Sequence, residues 1–354
     1  MNLKDRAIMD DFHAQQGEFE KLGRVVGERL KAITKELDVR TLAVEYRVKK
    51  EDSLAGKLYR KGDKYQSLED LTDILGCRVI CYFTDDVDRM CAAVEEEFSV
   101  DWENSENKRG LLSVNSFGYL SVHYICSLRP EKGYPDYLCN KRFEIQLRTG
   151  LQHIWAAINH DIGYKSRFGV PAAITREFSR LAGLLELADE EFVRVRETMS
   201  GYVSSVHEKI AANEAQDVAL DAISMQEYVR YNEPMQAFIK RLSEIEHSEI
   251  LDVDAGGFVP ALVELGITEL GGVQTMLEEN EELAYRLAYR ILNGSELDIL
   301  TSSTAIRFLL QAYLLNHHCD EDTMAKCFEL SGSDAKRVHA MAKRLMKTYE
   351  AIKQ

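Results

Sequence analysis

Three segments hold residue types from which a reaction on an anionic substrate could be built. Phe143-Glu144-Ile145-Gln146-Leu147-Arg148-Thr149 alternates, so Phe143, Ile145 and Leu147 share one face of a strand while Glu144, Gln146 and Arg148 share the other. Gly118-Tyr119-Leu120-Ser121-Val122-His123-Tyr124-Ile125 alternates in the same way and lines up an aromatic ring, a hydroxyl and an imidazole from Tyr119, Ser121 and His123. Arg47 and Lys49 share a face at the end of a further strand, and the helix that follows presents Ser53 and Lys57 at i, i+4 spacing. Such cations suit a polyphosphate. A half-buried surface strand alternates without doing any chemistry, so each segment alone says little.

These residues need a scaffold. Apolar residues recurring at Ile8, Phe12, Phe19, Leu22, Val26, Leu30 and Ile33 predict a helix over residues 3–36. Strands are expected at Leu42–Val48 and Leu75–Phe83, the second strongly apolar with Asp73 at its entrance, and helices at Ser53–Lys61 and Val87–Glu97. A polar loop from Asn104 to Asn115 carries Lys108 and Arg109, and Pro130 to Asn140, with Gly133 and Pro135, is expected to be a turn. The helix after Thr149 contains His153, Trp155, His160 and Asp161; adjacent side chains on a helix point about 100° apart, so His160-Asp161 is a poor metal pair. Beyond Pro171 the pattern is helical to about Asn213 and again from about Met225, ending in a helix over Ser333–Ile352. That last helix carries Lys336, Arg337, Lys343, Arg344 and Lys347, a charge run that ordinarily marks a solvated face.

Composition bounds the class. The 354 residues are 45% hydrophobic and 29% charged, ordinary for a globular chain and long enough for two cores. Only five prolines occur, and helix-forming residues dominate long stretches, so an α-rich α+β fold is expected. Seven scattered cysteines without a Cys-x-x-Cys pair predict reduced thiols. No apolar run approaches membrane-spanning length and no leader is evident, which predicts a cytoplasmic protein with no membrane partner. A net charge of −15 argues against broad nucleic-acid binding but leaves room for a local basic cleft.

Together with Asp73 and Arg78 in Thr72-Asp73-Ile74-Leu75-Gly76-Cys77-Arg78-Val79-Ile80, these segments resemble the synthetase domain of the RelA/SpoT family, the alarmone-making pyrophosphokinases. The likeness runs in order over about residues 40–165. The family's Arg-x-Lys-x-x-x-Ser-x-x-x-Lys spacing stands as Arg47, Lys49, Ser53 and Lys57. Its Gly-Tyr-x-Ser-x-His element stands as Gly118, Tyr119, Ser121 and His123, and its Glu-x-Gln-x-Arg-Thr element as Glu144, Gln146, Arg148 and Thr149.

The resemblance implies a mixed-sheet, nucleotidyltransferase-like synthetase domain with flanking helices over residues 1–213, followed by an all-helical region of unknown function over 214–354. It implies a transferase that moves a pyrophosphoryl unit from ATP to the 3'-hydroxyl of GDP or GTP, releasing AMP. Arg47, Lys49, Ser53, Lys57 and Arg78 would hold ATP, and Asp73 would hold Mg²⁺. Glu144 would be the general base or a second metal contact. Tyr119 would stack on the acceptor's purine, with His123, Gln146 and Arg148 orienting it. Nothing upstream resembles the hydrolase domain of long members, so synthesis without hydrolysis is expected, and a homo-oligomer built through the first helix is plausible on the family's pattern.

The chain departs from that pattern before the Gly-Tyr pair. Val114-Asn115-Ser116-Phe117 replaces a usual Lys and Asn, and Leu120 replaces a common Gln or Arg, leaving Lys108 or Arg109 to meet the acceptor's 5'-phosphates. Two alternatives follow. A toxic relative would pyrophosphorylate the 3' end of tRNA, which the global acidity disfavours, and a silent nucleotide-sensing module would not need both Asp73 and Glu144.

Overall fold

The computed structural model describes residues 3–107, 121–165 and 172–353. Two compact units divide it, Met1–Arg196 and Glu197–Gln354.

The first unit is built on one mixed sheet. Helix α1 (Leu3–Glu36) leads to strand β1 (Thr41–Val48), helix α2 (Glu51–Lys61), strand β2 (Leu75–Cys81) and helix α3 (Thr84–Glu97). Short strands β3 (Ser99–Val100) and β4 (Glu106–Asn107) precede β5 (Val122–Ser127), short helix α4 (Asp136–Cys139), β6 (Phe143–Thr149), and helices α5 (Gly150–Lys165) and α6 (Ala172–Ala211). The sheet order is β1-β2-β6-β5-β3, with β4 paired to β5. Only the β2–β6 pair is parallel. A parallel pair needs a long crossover, and everything from α3 through α4 supplies it.

The seven apolar residues of the α1 stripe are all buried, in one core with Leu75, Cys77 and Val79 of β2 and Phe143, Ile145 and Leu147 of β6. The sheet thus consumes the face proposed above as an oligomer interface, because burying it here removes the apolar area from water within one chain. Close approach of α1 to β1 rests on Gly23 and Gly27: a Cβ at Gly23 would lie 2.5 Å from the Tyr46 ring, and one at Gly27 would lie 2.8 Å from it. Gly23→Ala is therefore expected to destabilise the protein by about 1–3 kcal/mol through overpacking. A urea titration with a lower midpoint and unchanged slope would show it; an unshifted midpoint would mean that Tyr46 moves aside freely.

Three boundaries differ from expectation. Residues Pro130–Lys132 form a 3-10 turn and Asp136–Cys139 a helical turn, since Pro130 and Pro135 sit at or before the first helical position, where proline fits. Strand β2 ends at Cys81, because the chain turns at Phe83 to start α3. The final helix begins at Val338: Asp334 accepts the Lys336 backbone N–H on its side chain and the Arg337 N–H on its carbonyl, holding those two residues in a turn.

The second unit contains helices α7 (Ala222–Tyr231), α8 (Glu233–Ser243), α9 (Val259–Glu264), α10 (Leu270–Leu292), α11 (Ser303–Asn316), α12 (Glu321–Leu330) and α13 (Val338–Lys353). It is helical apart from a parallel pair, β7 (Glu249–Leu251) with β8 (Ile299–Thr301), each too short to show alternation. Its core gathers Met225, Tyr228, Phe238, Leu277, Leu287 and Leu309. All seven cysteines are free thiols, and no described helix is long and apolar enough to cross a membrane.

Candidate active site

Strand register brings the polar residues together. Glu144, Gln146 and Arg148 alternate with buried Phe143, Ile145 and Leu147, so the core on one face fixes the polar row on the other. Across the strands, Arg47 pairs with Gly76 and Gly76 with Glu144; one step along, Glu45 pairs with Arg78, Arg78 with Gln146, and Gln146 with His123. Directly paired residues present their side chains to the same face. Two short rows of charged and polar groups therefore lie side by side.

They open onto a cavity of about 350 Å³ lined by Glu45, Tyr46, Arg47, Lys49, Asp73, Gly76, Arg78, Glu144 and Gln146. At one end, Asp73 Oδ2 accepts from Lys49 Nζ at 2.5 Å and Lys57 Nζ at 2.8 Å. Burial opposes ionisation of Asp73, but the two ammonium partners outweigh it and hold the carboxyl below its usual value. Burial lowers Lys49 in spite of Asp73, whereas the pairing with Asp73 wins at Lys57 and raises it.

On the neighbouring strands a chain of hydrogen bonds begins at Ser121. Its Oγ lies 2.7 Å from His123 Nε2, and His123 Nδ1 lies 2.8 Å from Glu144 Oε1. Gln146 Nε2 donates to Glu144 Oε2 at 2.8 Å, while the Gln146 oxygen accepts from Arg78 Nε at 3.1 Å and from Arg148. Burial would raise Glu144, but the His123 and Gln146 contacts prevail and hold it below the usual carboxylate range. Burial, then the neighbouring Arg78, pushes Arg148 down to about 10.

A divalent cation fits the Asp73 end. Asp73 Oδ1 is buried and has no hydrogen-bond partner among the described residues, so one hard oxygen is left over after both lysines are satisfied. No described cluster of three or more His, Cys, Asp or Glu residues could cage a metal alone. Magnesium suits such a site, since it takes one or two carboxylates and completes its shell with water and substrate phosphate.

Six of the expected residues line the cavity: Arg47, Lys49, Asp73, Arg78, Glu144 and Gln146. Lys57 joins through Asp73, His123 through Glu144, and Arg148 through Gln146. Ser53 does not line the cavity and is exposed on α2. Tyr119, Lys108 and Arg109 lie outside the described residues. Sequence reasoning missed Glu45 and Gly76; the two-residue spacing of Glu45 from Arg47 already put both on one face. It also missed His153, whose value falls through burial and then the charges of Arg148 and Arg78.

Residues 46–168 match the family described as "Region found in RelA / SpoT proteins", and the matched stretch spans every cavity-lining residue except Glu45. It is a RelA/SpoT-family synthetase domain. The synthetase domain has curated relatives in Bacillus subtilis (strain 168). The GTP pyrophosphokinase YwaC is 29% identical over 157 residues, covering 42% of this chain and 71% of its own. The GTP pyrophosphokinase YjbM is also 29% identical over 157 residues, covering 69% of its own length. The crystal structure of small alarmone synthetase 2 from Bacillus subtilis aligns at 25% identity with a TM-score of 0.44, covering 53% of this chain and 99% of that one.

Proposed function

We propose that the synthetase domain transfers the pyrophosphoryl group of ATP to the 3'-hydroxyl of GDP or GTP. The observation that carries this reading is the meeting in one cavity of a two-lysine, one-aspartate cluster with a separately held, ionised Glu144. A bond forms between the acceptor 3'-oxygen and the β-phosphorus of ATP, the bond from that phosphorus to the α–β bridging oxygen breaks, and AMP departs with that oxygen. The 3'-hydroxyl proton passes to Glu144.

Arg47, Lys49 and Lys57 neutralise the donor phosphates, and Arg78 reaches them from β2. Gln146 and Arg148 orient Glu144 and the acceptor, with His123 beside them; Tyr119 stacks on the purine, and Lys108 and Arg109 meet the 5'-phosphates. Bound at Asp73, Mg²⁺ would supply charge neutralisation on the phosphate oxygens. The reading assigns synthesis alone.

The deciding experiment gives the purified protein ATP labelled in its γ-phosphate, with GDP, GTP, ATP or bulk tRNA as acceptor in turn. Label on the guanosine nucleotides with release of AMP is expected. Label on tRNA alone would replace the acceptor, and no transfer to any of them would overturn the reading. Arg47→Ala and Lys57→Ala should each raise the KM for ATP by about ten- to a hundredfold, the scale of losing a hydrogen bond to a charged group. The acceptor KM should change less; the reverse pattern would exchange the donor and acceptor sides.

Gly76 gives a further check. It lies between Arg47 and Glu144 in register, and a Cβ built there meets nothing within 4 Å, so a side chain would extend into the cavity without disturbing the fold. Gly76→Val should keep or improve stability, since a β-branched residue suits a strand. Turnover should fall on the order of 10²-fold as the reacting groups are displaced. Normal turnover in a stably folded Gly76→Val protein would show that substrate does not cross this part of the sheet.

A further inference from the structure

In the second unit a cavity of about 460 Å³ opens between α11 and α13, closed at one end by β8 and the end of α10. Its walls follow one face of each helix, with Phe308 and Gln311 from α11 and Met341 and Leu345 from α13. Ile299 of β8 adds an apolar side chain that is 56% exposed. Volume and lining match a site for a small organic molecule, mostly apolar with a few polar groups.

Three polar features define the ligand. Arg307 and Arg344 both line this cavity, and neither guanidinium has an ion-pair or side-chain hydrogen-bond partner among the described residues. Two like charges sharing a cavity in a chain of net charge −15 are notable, because carboxylates are abundant and none is used here. Elsewhere in the same unit, Arg241 holds Glu281 and Glu282, and Arg230 holds Asp252. The third feature is Gln311 Oε1, which is buried with no donor. An acceptor left in this state costs about 1–3 kcal/mol unless something donates to it.

We infer that this cavity binds a small amphiphilic anion, with a phosphate or carboxylate head on the two arginines and an apolar body against Phe308, Met341 and Ile299. Planar guanidinium groups match both head groups in a paired geometry. A hydroxyl or N–H on the ligand's body would satisfy Gln311. The site stands apart from the synthetase chemistry, and its ligand need not be a substrate.

Calorimetry on the full chain tests this with octyl phosphate and octanoate, each below its micelle concentration, beside octanol and inorganic phosphate. Saturable binding of octyl phosphate or octanoate is expected, and the tighter of the two names the head group. Octanol and inorganic phosphate should each bind at least about tenfold more weakly, since each lacks one half of the recognition. The exposed pair Arg307→Gln with Arg344→Gln should weaken the anion by about tenfold or more. Ile299→Glu, also at an exposed position, should abolish binding by placing a carboxylate on the wall. Absence of saturable binding by either anion, octanol binding as well as octyl phosphate, or an arginine double variant that binds like the parent would each overturn the inference. A melting curve on every variant separates loss of the ligand from loss of the fold.

Discussion

Glu144→Gln is expected to lower turnover by about 10²–10⁴ while ATP binding stays within a few-fold of the parent, the usual scale of losing a general base. Glutamine keeps the shape and can still accept from His123 Nδ1 and pair with Gln146, so strand β6 and the cavity wall should persist. What disappears is an acceptor for the 3'-hydroxyl proton. Because His123 and Gln146 hold Glu144 below the ordinary carboxylate value, the parent side chain is fully ionised at neutral pH. Single-turnover rates with saturating nucleotides would isolate the chemical step, and a variant that turned over normally would take the base role from Glu144.

Asp73→Asn should have the second largest effect. The substitution removes the anion shared by Lys49 and Lys57 and the buried oxygen available to a divalent cation. Loss of one contact that stabilises developing charge costs on the order of 10²–10³ in kcat. A raised Mg²⁺ requirement is the specific signature, because a neutral amide oxygen is the weaker ligand. A second signature lies on the alkaline side. Burial already lowers Lys49 against the support of Asp73, so without Asp73 its ammonium should lose its proton at lower pH and ATP affinity should fade earlier as pH rises. The acid side runs oppositely. The folded-state value of Asp73 is depressed, so its stabilising contribution is complete above about pH 4 and is lost as pH falls through the depressed value. Asp73→Asn should flatten that acid-side loss of stability. An unchanged Mg²⁺ titration together with an unchanged acid midpoint would place the metal elsewhere.

The sheet was legible because alternation and burial report the same thing. Phe143, Ile145 and Leu147 could be assigned inward from spacing alone, which forced Glu144, Gln146 and Arg148 outward, and the stripe from Ile8 to Ile33 announced α1 in the same way. Contacts that depend on register were not legible. Nothing local tells that Gly76 stands between Arg47 and Glu144, or that Glu45 faces Arg78, because those neighbours come from strands far apart in sequence. Gly76 was overlooked for a further reason: a residue without a side chain contributes space, and space leaves no mark in a motif search. Ser53 misled because matching spacing on a helix does not fix which way that helix is turned toward the strands. In the second unit, three-residue strands are shorter than the period needed to recognise them, and the turn at Asp334 shortened a helix that composition would have extended.

The amide of Gln146 has one workable orientation. Its oxygen takes donors from Arg78 and Arg148 and its nitrogen gives one to Glu144; turned half around, it would set N–H groups against two guanidinium groups and an oxygen against a carboxylate. From the other side, with His123 neutral, the acceptor-only carboxylate requires the ring proton on Nδ1, leaving Nε2 to receive the Ser121 hydroxyl. Every hydrogen along the strip therefore points inward to Glu144. Such an arrangement is a sink: it receives a proton readily, but the proton cannot be handed along either arm until a neighbour reverses. Each catalytic cycle then needs a resetting event in which Glu144 gives its proton directly to solvent or an imidazole or hydroxyl swings round, and recovery becomes a process distinct from the phosphoryl transfer that made it necessary.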